Sequence, residues 1–100
     1  MSSGRLDQLK MRSRGHWRGI LSSLGVSQAF LTGKNGPCPM CGGKDRWRFT
    51  DWQNMGGWVC NACGRGDGFD LLAGVHSIEM AEVFRRVEGI VGSVEPDQLP

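Results

Sequence analysis

The fold of this 100-residue chain is decided by two stretches, Cys38-Pro39-Met40-Cys41-Gly42-Gly43 and Cys60-Asn61-Ala62-Cys63-Gly64. Eighteen residues lie between the two cysteine pairs. A Cys-x-x-Cys turn supplies two thiolates from one tight loop, so two such turns complete a tetrahedral shell around one Zn²⁺ ion. The glycines after each pair let the backbone turn sharply and direct its N–H groups at the sulfurs. The four cysteines Cys38, Cys41, Cys60 and Cys63 therefore predict one closed, structural zinc site.

Paired cysteines also occur in disulfides, in redox-active motifs and in iron sites. Residues 1–14 are polar and basic and contain no apolar signal stretch, so we expect a reducing, cytoplasmic location that disfavours disulfides. A redox pair opens a helix, whereas the glycines that follow Cys41 begin a helix poorly. An iron tetrathiolate uses the same four ligands, and the spacing alone does not distinguish it from zinc.

Charge is distributed unevenly along the chain, although the net charge is only +2. Residues 1–65 contain ten Lys or Arg and three Asp, a net charge of +7, whereas residues 66–100 contain two Arg and seven acidic residues, a net charge of −5. The basic part predicts a polyanionic partner, and the acidic part predicts a solvated helix face or a protein-binding surface. No apolar run approaches the roughly 20 residues of a membrane-spanning helix, so we expect no membrane partner.

The pattern of apolar residues predicts a small α+β protein, a four-cysteine zinc ribbon of antiparallel β-hairpins flanked by N- and C-terminal α-helices. One domain is expected, with a helical segment at 1–36, the ribbon at 37–74, a C-terminal helix at 75–92 that packs on the ribbon, and a tail at 93–100. The helices are predicted at 3–14, at 15–24, at 68–73 with Asp67 as N-cap and Gly74 as its end, and at 78–91 with Ser77 as N-cap.

Two strands of the ribbon are predicted at 46–50 and 57–60, with a turn at 51–56. The first alternates cationic or polar residues with aromatic ones, so Trp47 and Phe49 share one face and Arg46, Arg48 and Thr50 share the other. The cationic face is suited to phosphate contacts, and an exposed aromatic, Trp52 or Trp58, is suited to stacking on a base. The alternative to a nucleic-acid-binding face is an ordinary surface strand, with solvated arginines on one side and core aromatics on the other.

Residues 36–49 (GPCPMCGGKDRWRF) and 58–72 (WVCNACGRGDGFDLL) strongly resemble the zinc-binding domain of phage- and plasmid-type DNA primases and primase-helicases. The resemblance extends upstream to Trp17 and downstream to Val83, and Trp47 stands where the family usually has phenylalanine. It implies a module that reads single-stranded DNA template and assists RNA primer synthesis during DNA replication, with Zn²⁺ as its one structural ion. The candidate template contacts are Lys44, Arg46, Arg48, Arg65 and Trp58.

No catalytic residues are expected in this chain. His16 and His76 are isolated, and no nucleophile triad or phosphate-binding loop is recognisable. The resemblance places nucleotidyl transfer in a separate Mg²⁺-binding catalytic domain, which would be a partner together with a helicase of the primosome. The alternative function is a zinc-ribbon docking module of a replication or transcription complex, in which the acidic helix at 77–91 would contact another protein.

Overall fold

The computed structural model describes the backbone of residues 2–91 and the side chains of residues 7–91. Four helices and four strands occur in this part of the chain. The helices are α1 (Ser2–Ser13), α2 (Trp17–Ser23), α3 (Gly68–His76) and α4 (Met80–Val91), and the strands are β1 (Gly36–Cys38), β2 (Gly42–Phe49), β3 (Trp58–Cys60) and β4 (Gly64–Gly66). The predicted small α+β ribbon flanked by helices is confirmed. The tail predicted at 93–100 lies outside the described residues.

The four strands form one antiparallel sheet in the order β1-β2-β3-β4. The predicted strands at 46–50 and 57–60 correspond to the end of β2 and to β3, but β2 already begins at Gly42. The strands β1 and β4 were not predicted, since each has three residues, mostly Gly, Pro or Cys, with no alternation that identifies a strand. Both exist because the cysteine turns fold them back onto β2 and β3.

The helix α2 supplies the centre of the core, as its apolar spacing predicted. Trp17, Ile20 and Leu21 are buried, and the helix begins at Trp17 rather than at residue 15. The Trp17 indole lies so close to Gly68 that a Cβ there would come within 2.2 Å of its ring. Glycine at the start of α3 therefore permits the contact between α2 and α3. Phe69 follows and packs edge-on against Trp17 with ring centroids 4.8 Å apart.

The capping of α3 confirms one prediction and corrects two. Asp67 is the N-cap, and its carboxylate accepts a hydrogen bond from the Asp70 N–H while Asp70 accepts one from the Asp67 N–H. The helix does not end at Gly74, because it continues to His76. Ser77 is wrong as the N-cap of α4; it is the left-handed C-cap of α3, with φ 54°. The next helix begins at Met80, where the Glu79 carbonyl accepts its first hydrogen bonds.

The C-terminal helix α4 packs mainly against α1 and α3. Its buried residues Val83, Val87 and Val91 recur every four positions and form one apolar stripe. We expected this stripe to cover the ribbon, whereas the principal contacts of α4 in the described part of the chain are with helices.

A hydrogen bond joins α2 to α3 in addition to the packing of Trp17. The His76 imidazole donates from Nε2 to the Leu24 carbonyl at 2.6 Å. His76 thus has a structural role.

Candidate metal centre and basic surface

The four cysteines meet at one end of the sheet. Cys38 ends β1 and Cys60 ends β3, while Cys41 and Cys63 immediately precede β2 and β4, so each Cys-x-x-Cys is the turn of a hairpin. Their four sulfurs lie within 4.8 Å of one another. The Sγ atoms of Cys41 and Cys60 are 3.6 Å apart, and those of Cys38 and Cys63 are 4.0 Å apart. Tetrahedral zinc with bonds of about 2.3 Å places sulfurs about 3.8 Å apart, so this set fits one Zn²⁺ ion.

Backbone N–H groups point at the first sulfur of each pair. Cys38 Sγ accepts from the N–H of Met40 at 3.3 Å and of Cys41 at 3.5 Å. Cys60 Sγ accepts from the N–H of Ala62 at 3.4 Å and of Cys63 at 3.3 Å. The left-handed φ values of Gly42 (80°) and Gly64 (107°) allow both turns to close in this way. These donors stabilise thiolates, as a metal site requires.

The close approach of the four sulfurs shifts the pKa values of the thiols in opposite directions. Burial opposes ionisation of Cys60, but the N–H groups of Cys63 and Ala62 outweigh it and lower the Cys60 pKa to about 7. Hydrogen bonding with the Cys41 thiol, followed by burial, raises the Cys63 pKa to about 12. Burial also raises the pKa of the Cys38 thiol. The Cys60 thiolate thus forms readily, whereas Cys38 and Cys63 resist ionisation, and a dication bound by the four sulfurs stabilises their thiolate forms.

Two of the predicted DNA contacts lie beside the metal centre. The Arg46 guanidinium is 3.8 Å from Cys41 Sγ, and its side chain covers Gly43 so closely that a Cβ there would collide with it. Lys44 and Arg46 line a shallow depression together with Asn61. Four thiolates and one Zn²⁺ carry a formal charge of −2, so Arg46 balances charge at the site. It has a structural task besides any contact with DNA.

The other two predicted arginines lie in one row across the sheet. Arg48 pairs with Val59 on β3, and Val59 pairs with Arg65 on β4. Directly paired residues of antiparallel strands share a face, so the three side chains project to the same side. All three are exposed, while Trp47 and Phe49 are buried on the opposite face. The predicted alternation of β2 is confirmed, and this exposed row has an arginine at each end.

Trp58 is wrong as an exposed base-stacking residue. Its side chain is 5% exposed, it stacks on Trp47 with ring centroids 5.3 Å apart, and its Nε1 donates to the Asp67 carbonyl at 2.8 Å. The signal was available in the sequence, because Trp58 precedes the ligand Cys60 by two residues and must share its inward face. The exposed tryptophan is Trp52, at 68%.

Two cations that the sequence analysis did not single out lie near Trp52. Lys10 and Arg14 come from α1 and its C-terminal end, and they border the same groove as Trp52 and Arg65. They are about 40 residues away from Trp52 in sequence. Since only the tertiary packing of α1 brings them there, no local pattern identified them.

Residues 33–69 match the model of a protein family described as the zinc-binding domain of primase-helicase. The resemblance seen in the sequence is thereby confirmed for this segment. The segment contains all four cysteines, and the description of the family identifies the metal as zinc. No solved structure matches the chain. In the described residues, none of the helices combines the length and the apolarity that crossing a membrane requires.

Proposed function

We propose that this chain is the zinc module of a DNA primase, that it recognises single-stranded DNA template, and that it assists RNA primer synthesis by a separate catalytic domain. The observation that carries the proposal is the match of residues 33–69 to the zinc-binding domain of primase-helicase. On this proposal the four cysteines hold one structural Zn²⁺ ion, and nucleotidyl transfer belongs to a separate primase catalytic domain. That catalytic domain, a helicase, or both would be the protein partners of this chain.

The row formed by Arg48, Val59 and Arg65 supports the template-binding part of the proposal. Neighbouring strands are about 4.8 Å apart, so the Cα atoms of Arg48 and Arg65 are separated by roughly 10 Å, with a small apolar residue between them. Guanidinium groups at this spacing can contact different phosphates of one strand. No ion pair engages either guanidinium within residues 7–91, so both are available to a polyanion.

The acidic helix α4 supports the alternative function, a protein-docking module, less well than the basic sheet face supports template binding. Glu82 of α4 forms ion pairs with Arg85 at 3.3 Å and with Arg86 at 3.1 Å. Both pairs lie within the helix, at i,i+3 and i,i+4, and they neutralise part of the charge that an external basic partner would need. The basic sheet face has no such internal partners among the described residues.

The test is a titration of the zinc-loaded chain with short single-stranded DNAs at two salt concentrations. Replacing Arg48 and Arg65 together with Ala is expected to weaken binding and to reduce the salt dependence by about 0.7 in log–log slope for each phosphate that is no longer bound. Arg46 is left unchanged in this variant because it contacts the metal centre. Arg85→Ala removes an exposed cation from α4 and serves as the control, with unchanged binding expected. Equal affinity of the double variant and the unmodified chain would remove the sheet face from the site.

A further inference from the structure

A groove beside Trp52 combines an exposed aromatic ring with three cations. It has a volume of about 530 Å³ and lies where the C-terminal end of α1, the turn after β2 and the strand β4 come together. The cations on its walls are Lys10, Arg14 and Arg65, and all three are exposed. Arg65 also belongs to the row on the sheet face, so the groove continues the surface proposed above to bind template.

The Trp52 side chain is exposed without being loosely attached. Its backbone and Cβ lie against Gly57 so closely that a Cβ on Gly57 would come within 2.6 Å of the Trp52 Cβ. The turn is further held by Asp51, whose carboxylate accepts from the Gly56 N–H at 2.8 Å, and by Asn54, whose carbonyl accepts from the Gly15 N–H at 2.8 Å. The backbone is thus fixed while 68% of the side chain faces solvent.

The same turn has a costly backbone conformation. Asp51, Gln53 and Asn54 all have positive φ values, between 52° and 62°. Left-handed conformations of non-glycine residues cost energy and persist where the surrounding contacts enforce them, often at binding sites. Since the core aromatics Trp17, Trp47 and Trp58 are all buried, this strained turn presents a large apolar ring to water that a simple surface turn would not need.

We propose that Trp52 is a base-stacking platform for single-stranded DNA, with Lys10, Arg14 and Arg65 binding the phosphates of the nucleotides on either side. This inference rests on the proposed template-binding function and assigns to it a site outside the β2 strand. Base stacking on a fixed aromatic ring tolerates any sequence, while the cations follow the backbone. Asp67 and Asp70 also line the groove and repel phosphate, so the backbone is expected on the side of the three cations.

The test compares two dye-labelled oligonucleotides of about 12 nucleotides, one of thymidine and one in which the central nucleotides are abasic. Both carry the same phosphates, so only stacking distinguishes them. The zinc-loaded chain is expected to bind the thymidine strand about tenfold more tightly in fluorescence polarisation. Trp52→Ala keeps the Cβ that packs on Gly57 and is expected to lose this preference, whereas Trp52→Phe keeps a ring and is expected to retain most of it.

The phosphate part is tested by a variant with Lys10→Ala and Arg14→Ala. It is expected to weaken binding to both oligonucleotides equally and to reduce the salt slope, while the preference for the thymidine strand persists. Arg85→Ala is again the control, and the zinc content and amide spectrum of each variant establish that it is folded.

Each other outcome overturns a defined claim. If the unmodified chain binds both oligonucleotides equally, or if Trp52→Ala keeps the preference, the stacking platform is wrong and the template-binding function stands on backbone contacts alone. If the unmodified chain binds neither strand even at low salt, the proposed function fails together with this inference. Binding of both strands that is unaffected by the replacement of Lys10 and Arg14 would remove α1 from the site.

Discussion

Single residues in this protein are constrained by close contacts as much as by the metal. Gly68 and Gly74 illustrate this, because neither has a Cβ and a neighbouring side chain occupies the space where one would lie. A Cβ at Gly74 would come within 2.3 Å of the Met40 Sδ atom, so the glycine leaves room for the Met40 side chain beside α3. The sequence predicts Gly74 as the end of α3, whereas the helix continues through Gly74 to His76, because a glycine inside a helix is unfavourable but not excluded.

Gly68→Ala is expected to destabilise the protein by about 1–3 kcal/mol, because the new methyl group overlaps the Trp17 ring in a packed core. Chemical denaturation of the zinc-loaded chain measures the effect. Gly89→Ala is the matched control in α4, since a Cβ there meets nothing within 4 Å, and we expect it to stabilise the helix by about 0.5–1 kcal/mol. A Gly68→Ala variant as stable as the unmodified chain would contradict the close packing of α2 on α3.

At the level of elements, the sequence predicted those helices and caps that depend on interactions between nearby residues. The capping box of Asp67 and Asp70 and the apolar stripe of α2 were predictable, because a cap and a helical stripe depend on residues within four positions. The strands β1 and β4 were not, because they depend on the cysteine turns and on pairing with β2 and β3. The groove at Trp52 was not predictable either, since it requires α1 to pack beside a turn about 40 residues away.

Asp67→Ala is expected to cost about 1 kcal/mol in the free energy of unfolding, because the N–H of Asp70 loses its side-chain acceptor at the start of α3. Asp67→Asn retains an oxygen acceptor and is expected to keep most of the stability. Burial raises the pKa of the Asp67 carboxyl, so the amide also avoids the cost of placing a charge there. Thermal unfolding of the two variants tests the cap, and equal losses would show that the charge rather than the hydrogen bond matters.

On the scale of the whole molecule, the metal centre and the apolar core are one structure. Cys38 and Cys60 are buried within the same cluster that contains Trp47, Trp58 and Phe69. Three of the four strands have only three residues, which is too few for independent stability in water. The ribbon is therefore stabilised by the four-cysteine metal site at one end of the sheet and by the apolar core on its buried face.

Removal of zinc is expected to unfold the ribbon, because binding to structural sites contributes about 10–16 kcal/mol, as much as the stability of a whole domain. Addition of a strong chelator should collapse the dispersion of the amide spectrum for residues 36–66, and returning zinc should restore it. Magnesium at the same concentration serves as the control, because it prefers oxygen ligands and should not restore the fold. A dispersed spectrum in the presence of chelator would contradict this coupling.

The two knuckles, which are the two Cys-x-x-Cys turns, each hold one sulfur near solvent and one away from it. Each contributes one buried cysteine, Cys38 or Cys60, and one exposed cysteine, Cys41 or Cys63. An oxidant or an alkylating reagent that arrives from solvent therefore meets the exposed pair first. Because those two belong to different knuckles, chemical damage at this edge removes one link from each hairpin at once, and the inner sulfurs alone leave the ion only half coordinated.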